Sequence, residues 1–145
     1  MNKLIKVGER TYYISGPFHI GVYVLDDGYK SDNKNKEDNK TGVCLIDSGV
    51  DRVVAKVVDK LLIDNNFEVR LIINTHYHAD HSGGNAYFKA KYGCKIVATK
   101  INAALVSNYD ICPAIIWGAA PINEIMNNYF YATPTDTEDI ENIEL

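Results

Sequence analysis

From position 74 the chain reads Asn-Thr-His-Tyr-His-Ala-Asp-His-Ser-Gly-Gly-Asn, directly after the apolar run at residues 69–73. Three of its four histidines, His76, His78 and His81, lie in this string together with Asp80. Imidazole nitrogen and carboxylate oxygen are ligand atoms for zinc, iron and manganese. The string therefore predicts a metal site at the end of a strand, and its Gly-Gly pair predicts a tight turn before the next helix.

The spacing of apolar residues predicts strands and helices along the chain. The predicted strands span residues 4–7, 11–14, 20–25, 42–47, 69–74 and 95–98. The predicted helices span residues 51–65, with Asp51 as N-cap, 85–92 and 100–106, with a short one at 123–129. Strands and helices alternate from residue 42, which predicts βαβ units and a mostly parallel stretch of sheet. We therefore predict an α/β (α+β) fold with a mixed sheet and flanking helices, in which the histidine string follows the carboxyl end of a strand.

Length and charge limit the class of protein. The 145 residues, 46% of them hydrophobic, suffice for one domain with a core, and the formal charge is −4. We assign residues 1–132 to the domain, with a polar surface loop at residues 28–41. Residues 133–145 carry five of the 19 acidic residues and no basic one, which predicts a solvated tail or edge strand, with a docking tail as the alternative. We expect no nucleic-acid partner and no membrane span.

The cysteines favour a reducing compartment. Cys44, Cys94 and Cys112 are odd in number and lack a Cys-x-x-Cys spacing, which is typical of free thiols rather than of a disulfide framework. Residues 1–8 have no apolar leader segment, so we expect no secretory signal. Together these features predict a cytoplasmic protein. Each thiol is interpreted as a small core residue, with a reactive thiol as the alternative.

Local geometry predicts how the string would hold a metal. His76 and His78 lie two apart in an extended segment, so their side chains point to the same side and can share one metal. Asp80 and His81 follow a turn and can face a second position. The alternative is a solvated polar loop that binds no metal.

Four other side chains have more than one interpretation. Asp47, at the end of the adjacent predicted strand, hydrogen-bonds a ligand histidine or caps the turn that follows it. Trp117 is a buried aromatic anchor or lines a pocket. His19 fits a strand-edge histidine better than a ligand, and Tyr77 fits packing or pocket lining.

Two segments resemble a known family. Thr-His-Tyr-His-Ala-Asp-His-Ser-Gly-Gly at residues 75–84 resembles the signature of the metallo-β-lactamase-fold hydrolases, the glyoxalase II-like superfamily. Cys-Leu-Ile-Asp-Ser-Gly at residues 44–49 resembles the strand and turn that precede the first helix of that family. The resemblance implies a four-layer αββα sandwich built from two similar halves, with this chain as the N-terminal half.

The resemblance also implies a centre of one or two metal ions, usually zinc, with iron in some oxidoreductase branches. In that pattern His76 and His78 bind the first metal, and Asp80 and His81 bind the second. The nucleophile is a water between the metals, and Asp80 orients it as the catalytic residue. General metal chemistry agrees, because a bound metal lowers the pKa of water towards about 7 and polarises the scissile group.

The chain departs from the family pattern after residue 81, beyond which it has no histidine. Asp110, Asp136 and Asp139 follow, and we expect none of them to end a strand as a bridging acid does. Catalytic zinc normally keeps three protein ligands, so four donors leave two metal positions under-coordinated. A single half-sandwich also leaves one apolar sheet face uncovered. We therefore expect a truncated chain, the N-terminal part of a longer enzyme, that self-associates or needs a complementing C-terminal half.

The predicted function is that of a zinc-dependent hydrolase acting on a small molecule. Metal-activated water attacks an ester or thioester, a lactam or a phosphodiester. Iron or manganese can replace zinc at such a ligand set. Two alternatives stay open: a non-catalytic remnant or half-domain that needs a partner, and an iron-dependent oxidoreductase on the same fold.

Overall fold

A computed structural model describes residues 2–17, 19–26, 40–118, 122–127 and 130–142. Three predicted segments fall partly outside these ranges. They are the polar loop at residues 28–41 up to position 39, the end of the predicted helix at 123–129, and the last three residues of the acidic segment.

Within the described ranges, seven strands form one mixed sheet in chain order. The first four strands are antiparallel neighbours, and the fourth to the seventh are parallel neighbours. Tight turns suffice for antiparallel neighbours, whereas each parallel step needs a crossover, which helices supply here. The strands are β1 (Leu4–Lys6), β2 (Thr11–Ile14), β3 (Ile20–Val24), β4 (Thr41–Ile46), β5 (Phe67–Ile73), β6 (Lys95–Ala98) and β7 (Glu138–Asp139).

Sequence signals mark some of the helix ends. Asp51 caps the first helix, because its side chain accepts the N–H of Val54 at 2.8 Å. Gly93 ends the third in a left-handed conformation with φ 59°. The helices are α1 (Arg52–Asp64), α2 (Ala79–Ser82), α3 (Asn85–Tyr92), α4 (Lys100–Ser107) and α5 (Cys112–Trp117), with 3₁₀ turns at Tyr109–Ile111, Asn123–Ile125 and Ile140–Asn142.

Most predicted elements are confirmed, and their ends agree within about two residues. The predicted helix at residues 123–129 is wrong in its described part, which forms only a 3₁₀ turn at Asn123–Ile125. That segment is short and rich in asparagine, so it cannot offset the cost of helix nucleation. Helices α2 and α5 were not predicted. Strand β7 pairs with β6, so part of the acidic segment forms an edge strand, which was one of the two predictions for it.

The main core lies between one face of the sheet and helices α1 and α3. Side chains of five strands meet the buried faces of both helices there, which removes a large apolar surface from water. Its fully buried members include Ile14, Ile20, Val22, Val43, Leu45, Val58, Leu62, Ile72, Phe88 and Ile96.

The other face of the sheet is partly covered, which corrects the expectation of an open apolar face. Cys44, Leu71 and Val97 on this face are at most 3% exposed. Ile140, from the 3₁₀ turn after β7, packs against this group, and so does Leu25. In the described part of the chain no helix is long and apolar enough to span a bilayer.

Candidate metal centre

The site is built where two parallel strands end side by side. β4 and β5 pair in register up to Ile46 and Ile73, and the N–H of Asp47 donates to the Ile73 carbonyl at 2.9 Å. Parallel strands bring their carboxyl ends to one edge of a sheet, where α/β proteins hold ligands. The residues after β4 and those after β5 therefore meet, and both include polar side chains.

The histidine string folds back on itself through one helical turn. His78 is extended (φ −57°, ψ 146°) and precedes α2, whose four residues include Asp80 and His81. The Ser82 hydroxyl donates to the carbonyls of Tyr77 and His78, both at 3.1 Å, which fixes this turn. A turn was predicted at this point, but it is helix α2 that brings His81 back towards the start of the string.

All four predicted ligands lie in one cluster. The ring centroid of His76 is 4.6 Å from that of His78 and 4.1 Å from that of His81. Asp80 Oδ2 lies 3.4 Å from His81 Nε2. Among the described residues, no three His, Cys, Asp or Glu side chains are already arranged as a metal-ligand group, so the ligand roles stay predictions.

The side chains of the cluster nevertheless offer ligand atoms that suit a metal ion. Asp47 Oδ2 accepts a hydrogen bond from His81 Nδ1–H at 2.8 Å. Because Nδ1 carries the proton, Nε2 is the ring nitrogen with a free lone pair. The Thr75 hydroxyl donates to Asp47 at 2.8 Å, so it accepts from His76 Nδ1–H at 3.1 Å. Both imidazoles are thereby oriented with Nε2 available as a ligand atom.

Asp47 is the main support of the centre. The residue is 6% exposed, and its carboxylate accepts from the Thr75 N–H at 2.8 Å in addition to the Thr75 hydroxyl and His81. Its backbone is left-handed, with φ 64°, a conformation that aspartate tolerates better than most residues. Of its two sequence interpretations, contact with a candidate ligand histidine is confirmed.

The electrostatics of the cluster keep His76 neutral. Burial lowers the pKa of His76 below its usual 6.5, and His81 and His78 lower it further. Asp47 and Asp80 act in the opposite direction with smaller effect. A neutral imidazole is the form that can bind a metal.

A buried polar network beneath the cluster holds α2 against the strand ends. Asn85 donates to Asn74 Oδ1 at 2.6 Å, and Ser48 donates to Asn85 Oδ1 at 2.7 Å. The carbonyl of His81 accepts from the Ser48 N–H at 2.8 Å and from Asn74 Nδ2 at 3.3 Å. Sequence reasoning assigned no role to Asn74 or Asn85, although their positions at the two ends of the string were a usable signal.

The Gly-Gly step is required by close contact between backbones. A Cβ on Gly83 would lie 1.9 Å from the Val50 carbonyl oxygen, and one on Gly84 would lie 2.3 Å from that of Ser48. The N–H of Gly84 donates to the Gly49 carbonyl at 3.1 Å. The predicted tight turn is therefore confirmed.

A cavity of about 300 Å³ lies beside His78 and Asp80. Its remaining lining is Ala79, Tyr109, Ile116, Trp117 and Phe130. Trp117, 38% exposed, lines a pocket rather than serving as a buried anchor. A larger cavity of about 510 Å³, between α1, α3 and residues 131–133, contains none of the candidate ligands, so the smaller one is the relevant one.

Tyr109 is a residue of this region that sequence reasoning missed. It is 0% exposed, and burial raises the pKa of its hydroxyl, with Cys112 and the Asp80 carboxylate acting in the same direction. The hydroxyl therefore stays protonated at neutral pH, as a donor close enough to Asp80 to be affected by its charge.

The three later acids do not join the cluster. Asp139 ends β7, beside β6, so the expectation that none of these acids ends a strand is wrong. Its carboxylate accepts the Glu141 N–H at 3.2 Å, whereas Asp110 pairs with Tyr131 and Asp136 with Lys89. No hydrogen bond or ion pair within the described ranges links them to the histidines.

A sequence model of the metallo-beta-lactamase superfamily matches residues 37–111, more than half of the chain. The chain belongs to this superfamily. The resemblance of the histidine string is thus confirmed, and the matched range includes β4, β5, Asp47 and all four candidate ligands.

Within this superfamily, the chain is similar in sequence to curated proteins of one enzyme class. A hydroxyacylglutathione hydrolase of Pelagibacter ubique is 39% identical over 72 residues, which are 50% of this chain and 28% of that protein. A hydroxyacylglutathione hydrolase of Nitrobacter winogradskyi is 34% identical over 64 residues, 44% of this chain and 25% of that protein. The matched part thus corresponds to about a quarter of each relative.

Solved structures confirm the fold of the superfamily. A subclass B3 metallo-beta-lactamase of Bradyrhizobium japonicum superposes with a TM-score of 0.63 at 20% identity, covering 94% of this chain and 44% of that one. A metallo-beta-lactamase of Cronobacter sakazakii superposes with a TM-score of 0.61 at 18% identity, covering 93% of this chain and 46% of that one. The chain spans less than half the length of these neighbours.

Proposed function

We propose that this chain carries the metal-binding part of a hydrolase that cleaves esters or thioesters by attack of water. The observation that carries the proposal is the cluster of His76, His78, Asp80 and His81 at a strand edge, supported by Asp47. The sequence identity of the chain to hydroxyacylglutathione hydrolases favours thioesters over lactams and phosphodiesters as substrates.

Each residue has a separate role in this proposal. His76 and His78 hold the first metal ion, and Asp80 and His81 hold the second. Zinc, or iron or manganese in its place, supplies Lewis acidity and lowers the pKa of water towards about 7. Asp80 accepts a hydrogen bond from the attacking water and orients it, while Asp47 keeps His81 in the tautomer that presents Nε2.

The proposed activity is tested on the full chain after loading with zinc, iron or manganese in parallel. Metal content is measured by elemental analysis, and turnover with a thioester, an ester, a lactam and a phosphodiester. We expect zinc to support thioester cleavage best, and His76→Ala or Asp80→Ala to abolish it. Metal binding without cleavage of any of the four substrates would contradict the hydrolase proposal.

We propose, as the second candidate, that the chain is a half-domain whose site is completed by another protein segment. Four donors are fewer than two catalytic metal positions normally use. A second copy of this chain or a complementing C-terminal half supplies the remaining ligands. Turnover that appears only above the concentration at which light scattering detects dimers supports the second copy, and concentration-independent specific activity argues against it.

We further propose the cytoplasm as the site of action. All three cysteines are buried and free of disulfides. Burial raises the pKa of Cys44 and Cys94 to about 12 and that of Cys112 to about 11. Reduced thiols of this kind fit a reducing compartment. Fractionation of cells that express the chain tests this assignment.

A further inference from the structure

The larger cavity, of about 510 Å³, lies between α1, α3 and residues 131–133. Helix α3 lines it with two rows of side chains, Ala86 with Ala90 and Tyr87 with Lys91. The members of each row are four residues apart, so they lie on the same side of the helix. The two alanines form an apolar floor of small side chains, and the polar row runs beside it. This cavity therefore has the volume and the mixed lining of a small-molecule pocket.

A buried carboxylate holds the polar row in place from behind. Asp59 of α1 is 3% exposed, and it accepts hydrogen bonds from the Tyr87 hydroxyl at 2.7 Å and from Lys91 Nζ. An ammonium group carries three protons, so Lys91 keeps protons for a second acceptor. Lys91 can therefore donate to a group in the cavity while it stays bound to Asp59.

Arg52 is a cation of the cavity wall that is free to bind a ligand. Its side chain makes no hydrogen bond or ion pair with another described residue. Burial and Asp59 raise the pKa of Tyr87, and the Arg52 guanidinium is close enough to the Tyr87 hydroxyl to oppose them. The neighbouring acid, Asp51, is engaged as a helix cap, because its carboxylate accepts the N–H of Val54.

The place of Arg52 in the helix is unfavourable for a cation. Arg52 is the first residue of α1, where a positive charge opposes the helix dipole, and the first turn holds no acidic residue to offset it. Departures from a local rule of this kind are expected where a residue has a function. An anion in the cavity would pair with Arg52 and with Lys91.

We propose that this cavity binds a small aromatic anion, with its carboxylate or phosphate on Arg52 and Lys91 and its ring on the floor of Ala86 and Ala90. A guanidinium forms paired hydrogen bonds with either acidic group. The ring of Tyr131 lines the cavity as well, so apolar surface is available on more than one side. This inference goes beyond the proposed hydrolase function and involves none of the four candidate metal ligands.

Calorimetric titration of the full chain with four probes tests the site. Metal is removed first, because a bound ion would itself attract anions. Benzoate should bind about tenfold more tightly than uncharged benzamide, at the lower end of the range for hydrogen bonds to charged groups because Arg52 is exposed. Phenyl phosphate should bind about tenfold more tightly than inorganic phosphate, since its ring loses contact with water. The tighter of the two aromatic anions identifies the acidic group that the site prefers.

Arg52→Gln removes the charge and keeps a long polar side chain. It should weaken benzoate binding about tenfold. The melting temperature should stay unchanged or rise, because the lost cation opposed the helix dipole. Lys100→Gln is the matched control, since Lys100 is the first residue of α4 and lies outside the cavity. This control removes the same charge from the same helix position and should keep the affinity for benzoate.

Ala90→Leu fills the floor of the cavity. Ala90 is exposed and leucine is a good helix former, so the fold should persist. The larger side chain takes the place of the ligand ring, so benzoate should bind about tenfold more weakly and inorganic phosphate as before. Ala104→Leu makes the same change at an exposed position of α4 outside the cavity and should keep both affinities.

Weaker benzoate binding in Arg52→Gln and in Ala90→Leu, with both controls unchanged, supports the site. Equal binding of benzoate and benzamide overturns it, and so does an equal loss in Arg52→Gln and Lys100→Gln, which would indicate attraction to the overall charge. Unchanged binding of benzoate by Ala90→Leu also overturns the proposal, because the anion would then bind outside the cavity.

Discussion

At the scale of single residues, the candidate centre depends on a carboxylate outside the predicted ligand set. Asp47 accepts three hydrogen bonds, from the N–H and hydroxyl of Thr75 and from His81 Nδ1, all at 2.8 Å. It follows β4, whereas the candidate ligands follow β5, and it is nearly excluded from water. A charge buried in this way orients its partners because it has no competing water.

Asp47→Asn should weaken zinc binding by about 10- to 100-fold, the usual cost of losing a hydrogen-bond partner behind a ligand histidine. The amide keeps the volume but cannot hold the His81 tautomer as the carboxylate does. A competition titration with a chromophoric chelator measures the affinity. Asp51→Asn is the matched control, because asparagine caps a helix as well as aspartate does. Unchanged zinc affinity in Asp47→Asn would show that Asp47 does not support the metal site.

At the scale of elements, two contacts fix the helices around the site. The turn between α2 and α3 passes so close to the backbone after β4 that Gly83 leaves no room for a side chain. Farther away, Asp59 of α1 is buried and accepts from Tyr87, Tyr92 and Lys91 of α3. The first contact positions His81, and the second joins the two helices that cover the core.

Gly83→Ala should destabilise the fold by more than about 4 kcal/mol, the range reached when a substitution forces backbone apart. The added Cβ would meet the Val50 carbonyl oxygen at 1.9 Å, and no rotamer can relieve a clash at Cβ. Thermal unfolding followed by circular dichroism measures the loss. In Gly8→Ala the nearest atoms lie at 3.5 Å, so this control should melt close to the unmodified chain. A Gly83→Ala variant of normal stability would refute the close contact.

The tyrosines that join α3 to Asp59 predict a loss of stability in alkali. Burial and the Asp59 hydrogen bond raise the pKa of Tyr87 to about 12 and raise that of Tyr92 further. The folded chain then keeps protons that the unfolded chain loses near pH 10. The stabilisation is therefore complete below about pH 10 and is lost as the pH rises through 12.

Urea unfolding between pH 8 and pH 11 measures this loss as a falling free energy of unfolding. The double variant Tyr87→Phe/Tyr92→Phe should show a shallower decline, since phenylalanine has no proton to lose. An equally steep decline in that variant would assign the alkaline effect to other groups.

At the scale of the whole molecule, the described residues form three separate apolar clusters that stabilise the fold, and each contains one cysteine. Cys94 belongs to the main core under α1 and α3, Cys44 to the other face of the sheet, and Cys112 to the cluster around Tyr109. The last two clusters have few members among the described residues. Regions with few apolar contacts open at lower free energy than a large core does.

The three thiols should therefore be unreactive in the native chain and should become reactive in the order of local opening. Their raised pKa values, about 11 to 12, leave little thiolate at pH 8. Labelling with a thiol reagent and mass spectrometry should find Cys94 protected longest, and all three labelled in denaturant. Rapid native labelling of Cys94 ahead of the other two would contradict this description of the core.

The sequence by itself determined six of the seven described strands, most helices, the Asp51 cap, the place of the histidine string and the family. These follow from local spacing and composition, which act over a few residues. The tertiary structure decided which partner Asp47 binds, since Asp47 and His81 are 34 residues apart. It also decided the bridge between Asn74 and Asn85, the cover over Cys44 and Leu71, and the cavity at Tyr109. The physical reason is that such contacts arise only where strand pairing and helix packing bring distant segments together.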